Sequence, residues 1–291
     1  MEFGDQGAGK TTTARILGSL VDPHSAPLVR ARDEAEFIQA LAHHYVAILD
    51  NLSYLPEWLS NLLSRAITGE GFSKRRLYTD DDDVTYSFRR VVILTGINLV
   101  VTKPDLLDRA LIIGIERLAE GQRVEERDLT GRFREAQPKL FGALLGLVAG
   151  AMGAFPKAVL RNPPRMADFA QWGAALSVAK GKPAEDFAED YARNVAQQNE
   201  QAIGESFIGT LLLAFMSNKD HWQGTADELL GYLQSMAEVR HITRRDLPGT
   251  PQLLGRRLRE IRPNLGAIGY AITFSDHHHP RTITITRTGA R

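Results

Sequence analysis

Residues Gly4-Asp5-Gln6-Gly7-Ala8-Gly9-Lys10-Thr11 satisfy the pattern G-x-x-x-x-G-K-[ST] at every required position. No other feature restricts the fold as much, because such a loop needs a strand before it and a helix after it. The glycines let the backbone turn inward, so that consecutive N–H groups face one anion. The helix-forming run that follows, to about Leu20, adds the positive end of its dipole. On this reading Lys10 reaches the β- and γ-phosphates of ATP and the Thr11 hydroxyl holds Mg²⁺. Gly4, Gly7, Ala8, Gly9 and Thr12 complete the cradle.

A second element agrees with the first. Tyr45-Val46-Ala47-Ile48-Leu49-Asp50 is an apolar strand ending in a carboxylate, the Walker B pattern, and makes Asp50 the second Mg²⁺ residue. Many ATPases place the acid that activates the attacking water at the next position, where this chain has Asn51. Two readings follow: Asn51 positions the water by hydrogen bonding, or an acid elsewhere, such as Glu57, takes over. A third strand, Arg90 to Thr95, leads to Asn98, the candidate γ-phosphate sensor. Arg109, in Asp105-Leu106-Leu107-Asp108-Arg109, is the candidate arginine finger, with a plain surface Asp-Arg pair as the alternative.

Only Met1, Glu2 and Phe3 stand ahead of Gly4, fewer than the roughly five residues of an ordinary strand. The expectation is therefore that most of the first strand, and coding sequence upstream of it, is missing.

Composition narrows the partners. The 291 residues suggest two domains, or one with a large appendage. With 35 Lys and Arg against 35 Asp and Glu, nucleic acid would have to be met by a local patch, because the chain carries no global basic field. Zero cysteines exclude a disulfide framework, a thiolate zinc site and a cysteine nucleophile, and fit a cytoplasmic location. The uncharged run Leu140 to Phe155 falls short of the roughly 20 residues of a membrane span. It is expected to be a buried helix, with no membrane partner.

Between Asp50 and the third strand lies Thr68-Gly69-Glu70-Gly71-Phe72-Ser73-Lys74-Arg75-Arg76-Leu77-Tyr78-Thr79, followed by Asp80 to Asp83. Leu77-Tyr78 and Val84 to Phe88 have β propensity around that acidic turn, which predicts a hairpin. The order of phosphate loop, LDN, TGEGFSKRRLYTDDDD, RRVVILTGIN and DLLDRA resembles phage- and mobile-element-associated ATP-binding proteins of bacteria. These are related to the ATPase halves of primase-helicases and, more distantly, to superfamily 3 helicases of the AAA+ class. The resemblance spans roughly residues 4 to 175, with Pro164 to Gly173 as a further similar segment. It implies an AAA+ P-loop NTPase core with a helical lid, a homo-oligomeric, hexameric ring, and DNA contacts from Lys74, Arg75 and Arg76. The same hairpin without the family reads as a charged loop that pairs with its own acids or with a neighbouring subunit.

From Arg123 to about Met216 the pattern is helical, with Pro138, Pro156, Pro163 and Pro164 as punctuation. Beyond Asn218 the character changes. Thr225 can cap a helix through Leu233, a second is expected around Ile242 to Leu247, and Thr250-Pro251 opens a third. Strands Tyr270 to Phe274 and Thr282 to Thr286 flank a turn containing His277, His278 and His279. Three helices and a hairpin read as a winged helix, with Arg256 and Arg259 on its recognition helix facing DNA and the histidines at the wing tip. A winged helix used for protein contact is the alternative.

The expected fold is thus α/β: a P-loop NTPase core over residues 1–120, a helical lid over 121–217 and an α+β winged helix over 218–291. The expected activity is a DNA-directed, helicase-like ATPase using MgATP. A nucleotide-gated DNA-binding or loading protein with little turnover is the second reading, and a small-molecule kinase is a third.

Overall fold

The computed structural model describes residues 1–4, 7–75, 83–98, 100–101, 103–119, 121–239, 247–275 and 281–288. The chain divides into two compact units, Met1–Val101 with Asp108–Arg193, and Thr102–Leu107 with Asn194–Arg291. The expected strand Leu77-Tyr78, most of the acidic turn that follows it, all but Leu247 of the expected second C-terminal helix and the three histidines of the C-terminal turn lie outside the described residues.

In the first unit, β1 (Glu2–Phe3), α1 (Lys10–Val21), α2 (Glu34–His43), β2 (Val46–Leu52), α3 (Glu57–Thr68), β3 (Phe72–Arg75), β4 (Asp83–Tyr86) and β5 (Val91–Gly96) follow in order. After α4 (Pro104–Leu107), which counts with the second unit, come β6 (Ile113–Gly114), α5 (Glu126–Ala154), α6 (Ala167–Ala179) and α7 (Ala184–Gly204), whose residues from Asn194 on count with the second unit. Strands β2, β5, β1 and β6 form one parallel sheet in that spatial order. Val46, Ala47, Ile48 and Leu49 are all buried, as an apolar strand covered on both faces requires. Gly18 of α1 lies so close to Ile48 that an added Cβ would stand 3.0 Å from its Cδ1, which seats the helix directly on β2.

The register of β2 against β5 breaks once. Leu49 faces Leu94 and Leu52 faces Gly96, so Asp50 and Asn51 together oppose Thr95. This is a bulge, and Asn51 adopts φ 55°, the left-handed region that asparagine tolerates better than most residues.

The described part of the β3–β4 hairpin pairs Phe72–Arg75 with Asp83–Tyr86, Lys74 opposite Val84 and Arg75 opposite Asp83. Pro138 does not end a helix, because α5 runs through it. The expectation that Leu140 to Phe155 is buried is overturned. Leu145 is 53% and Met152 61% exposed, while Ala151, Ala154, Ala158, Ala174 and Ala175 make the contact with α6. Small side chains bring the two backbones together on one face and leave the large ones outside. Among the described residues, Glu126–Lys157 is the one helix whose length and composition would span a membrane. Phe155 packs at a tilt against Trp172, and Phe169 meets Phe187 and Tyr191, so these aromatics are packing residues.

The second unit contains α8 (Phe207–Met216), β7 (His221–Thr225), α9 (Ala226–Val239), α10 (Pro251–Ala267), β8 (Tyr270–Phe274) and β9 (Thr282–Arg287). Its antiparallel sheet has the order β7-β9-β8. Ile208, Leu211, Leu212, Phe215 and Met216 join Leu229, Leu233, Leu254, Leu258, Ile283 and Ile285 in one core. Helix α8 therefore belongs with the C-terminal elements, whereas the sequence reading set a boundary after it at 217. The polar stretch Asn218 to Asp220 is the link between α8 and β7. A capping box closes the start of α9: Thr225 Oγ1 accepts the Glu228 N–H at 3.2 Å, and Glu228 Oε2 accepts the Thr225 N–H at 2.7 Å. Thr225 thus caps α9 as its sequence position suggests, and the helix runs past Leu233 to Val239. Thr250 caps α10 by accepting the Leu253 N–H, with Pro251 at the first helical position.

Candidate nucleotide site

The carboxyl ends of β1, β2 and β5 carry Gly4, Asp50 and Thr95 respectively, and α1 starts above them. In parallel sheets ligands bind outside these strand ends. Gly4 has φ 148°, and a Cβ there would stand 2.1 Å from the Ile115 carbonyl oxygen, so only glycine allows the loop to leave β1 beside the segment that follows β6. Gly7 and Gly9 have φ 80° and 88°, again in the left-handed region. Helix α1 has no side-chain cap and no acidic residue in its first turn, which leaves its leading N–H groups to an anion.

The Lys10 ammonium donates to the Gly4 carbonyl at 2.8 Å and so lies across the loop. The Thr11 hydroxyl donates to Asp50 Oδ1 at 2.8 Å, bringing together the two residues assigned to Mg²⁺. Both are hard oxygen ligands, and with Gly7, Gly9 and the α1 N-terminus they fit a phosphate-bound Mg²⁺. Thr12 is half-buried in the first turn of α1, and Ala8 is buried in the loop.

The sequence reading missed Thr95. It is 1% exposed, its hydroxyl donates to the same Asp50 Oδ1 at 2.5 Å, and it accepts the Asn51 N–H at 2.9 Å. The only signal in the sequence was a hydroxyl residue near the end of an apolar strand. Asn51 and Asn98 are both exposed, Asn98 in the turn after β5. Arg109 is half-buried in the turn that precedes β6. Glu57 opens α3. Arg165, near the similar segment, pairs with Asp108.

The other assigned residues lie apart from this cluster in the chain. Lys74 and Arg75 sit in the β3–β4 hairpin, and Arg76 is outside the described residues. On α10, Arg256 and Arg257 both bond Glu260, at 3.2 and 2.9 Å, while the Arg259 guanidinium lies 4.4 Å from the centre of the Phe274 ring. Among the described residues no group of three or more His, Asp or Glu side chains is arranged to hold a metal by itself.

Below this site, the Asp22 carboxylate caps the start of β2, accepting the N–H groups of Tyr45 and Val46 at 2.7 and 2.9 Å. His24 and His44 meet beside it at a tilt, with ring centroids 4.1 Å apart. Burial, reinforced by the neighbouring His24, holds the His44 imidazole below its ordinary value, with Asp22 opposing.

A family model described as an actinomycete integrative conjugative element replication protein matches residues 1–191, and one described as the AICE RepA C-terminal domain matches residues 208–291. The interval between the matches contains the passage from the first unit to the second at Arg193 and Asn194. None of the curated proteins compared matches the chain.

Proposed function

We propose, from the premise that this chain belongs to the replication proteins of actinomycete integrative conjugative elements, that it is a MgATP-dependent, DNA-directed ATPase acting in replication of such an element. The observation that carries the reading is the convergence of the phosphate loop, Thr11 and Asp50 at one set of strand ends.

The residues divide the work as follows. The loop amides and the α1 N-terminus hold the phosphates. Lys10 exchanges its bond to the Gly4 carbonyl for the phosphate oxygens. Thr11 and Asp50 hold Mg²⁺, which neutralises charge on the phosphates when bound. Thr95 keeps the Asp50 carboxylate turned toward Thr11. The helix-strand-helix-helix-hairpin order of the second unit supports a winged helix, and α10 is then its recognition helix. A helicase-like ring is the form of motor that the family resemblance implies.

A nucleotide-gated DNA-binding protein with little turnover is the second reading, favoured by Asn51 directly after Asp50. Phosphate release with and without single-stranded DNA separates the two. The motor predicts DNA-stimulated multiple turnover that Lys10→Ala abolishes. The gate predicts nucleotide-dependent DNA affinity without turnover. Absence of nucleotide binding by the intact chain overturns both.

A further inference from the structure

We infer that Arg123 is a phosphate-binding arginine acting in cis, reaching the nucleotide from the segment between β6 and α5. This rests on the nucleotide-site reading above and extends it to a residue outside every motif in the sequence.

The approach of the guanidinium to the loop is the first observation. A Cβ built on Gly7 would stand 3.5 Å from Arg123 Nη2, so the guanidinium lies against the loop at the glycine whose φ of 80° helps to shape the phosphate cradle. A second observation explains how the chain brings it there. Ile115 runs against Gly4, and a turn then reverses the backbone: the Ala119 carbonyl accepts the Gln122 N–H at 3.1 Å, Gly121 has φ 85°, and Gln122 Oε1 accepts the Ala119 N–H at 3.3 Å. The positive φ at Gly121 is the conformation this turn needs at its third position.

That turn brings Arg117, Leu118, Gly121 and Arg123 around one cavity of about 410 Å³. Neither arginine pairs with a carboxylate among the described residues. Two arginines lining one cavity give it a positive charge that favours an anion. A nucleotide's phosphate tail, held by the Gly7 amide on one side, supplies that anion. Arginine suits the task because its planar fork donates two parallel hydrogen bonds to a phosphate and keeps its charge. Arg123, beside Gly7, would then add a second cation to Lys10 at the loop.

The test is titration of the full chain with fluorescent ATP and ADP analogues, for wild type, Lys10→Ala, Arg123→Ala and Arg123→Lys, with thermal melts confirming that each variant is folded. Arg123→Ala is expected to weaken ATP binding roughly tenfold or more, with ADP affected less and Arg123→Lys recovering part of the loss. Nucleotide affinity unchanged in Arg123→Ala, with Lys10→Ala still defective, overturns the inference and leaves the nucleotide site standing. A loss confined to DNA affinity also overturns it, because the arginine then serves a nucleic-acid backbone. No binding by wild type removes the site and the inference together.

Discussion

The Thr95 hydroxyl donates to Asp50 Oδ1 and accepts the Asn51 N–H, so one side chain on β5 holds both residues of the bulge on β2. Thr95→Val keeps the shape and removes both bonds inside a buried site. Leaving a buried polar group unpaired costs about 1–3 kcal/mol. Urea denaturation should show a loss of that order for Thr95→Val and a much smaller one for Thr95→Ser. The Mg²⁺ dependence of nucleotide binding should weaken in parallel.

Stability should depend on pH through His44. Its folded value lies below the ordinary 6.5, so the unfolded chain binds the proton more tightly. The contribution is fully present above about pH 6.5 and is lost as pH falls from there toward the depressed folded value. Melting temperatures measured from pH 8 to pH 5 should decline over that lower range in wild type. In His44→Leu the decline should be shallower.

The placement of α8 gives a test by dissection. A fragment of residues 194–291 should fold alone and show a cooperative melt by circular dichroism. A fragment of 218–291 lacks Leu211, Leu212 and Phe215 of its core and should not. Within the full chain, Leu212→Ala should cost about 2–5 kcal/mol, the same range as Leu258→Ala, since both are fully buried.

Glu260 sits between the Arg256 and Arg257 guanidinium groups on the exposed face of α10. Exposed ion pairs contribute about 0–1 kcal/mol, so Glu260→Gln should barely change stability. On the proposed DNA face it should tighten duplex binding, and Arg256→Ala should reduce the log–log salt slope by about 0.9. Unchanged affinity and slope in both variants would place DNA on another surface.

The turn between β1 and α1 was legible because glycines at fixed spacing ahead of a helix-forming run require a strand, a tight loop and a helix in that order. The strands carrying Asp50 and Thr95 were legible because they are unbroken apolar runs. Thr95 itself was not, since its role depends on a one-residue bulge in a neighbouring strand, and Asn51 is its only local trace. Asn98 was chosen by its position at a strand tip, and it lies exposed in the turn after β5. The apolar half of α5 read as buried because composition cannot tell which face of a helix is covered. Helix α8 was assigned to the helical middle because the polar residues after Met216 look like a domain boundary, and only the shared core shows that they are a turn. Arg123 belongs to no motif and came into view through the turn at Gly121.

Helix α1 and strand β2 are pinned to each other at both ends, by Thr11 to Asp50 and by Asp22 to Tyr45 and Val46. Twelve helical residues span about 18 Å, and five strand steps from Tyr45 to Asp50 span about 17 Å. The two lengths match, so the pair forms a closed frame whose opposite sides cannot slide past each other. A displacement at Thr11 and Asp50 is therefore coupled to the far end, at Asp22 and the histidines beside it. The hinge of any nucleotide-driven motion has to lie outside this frame.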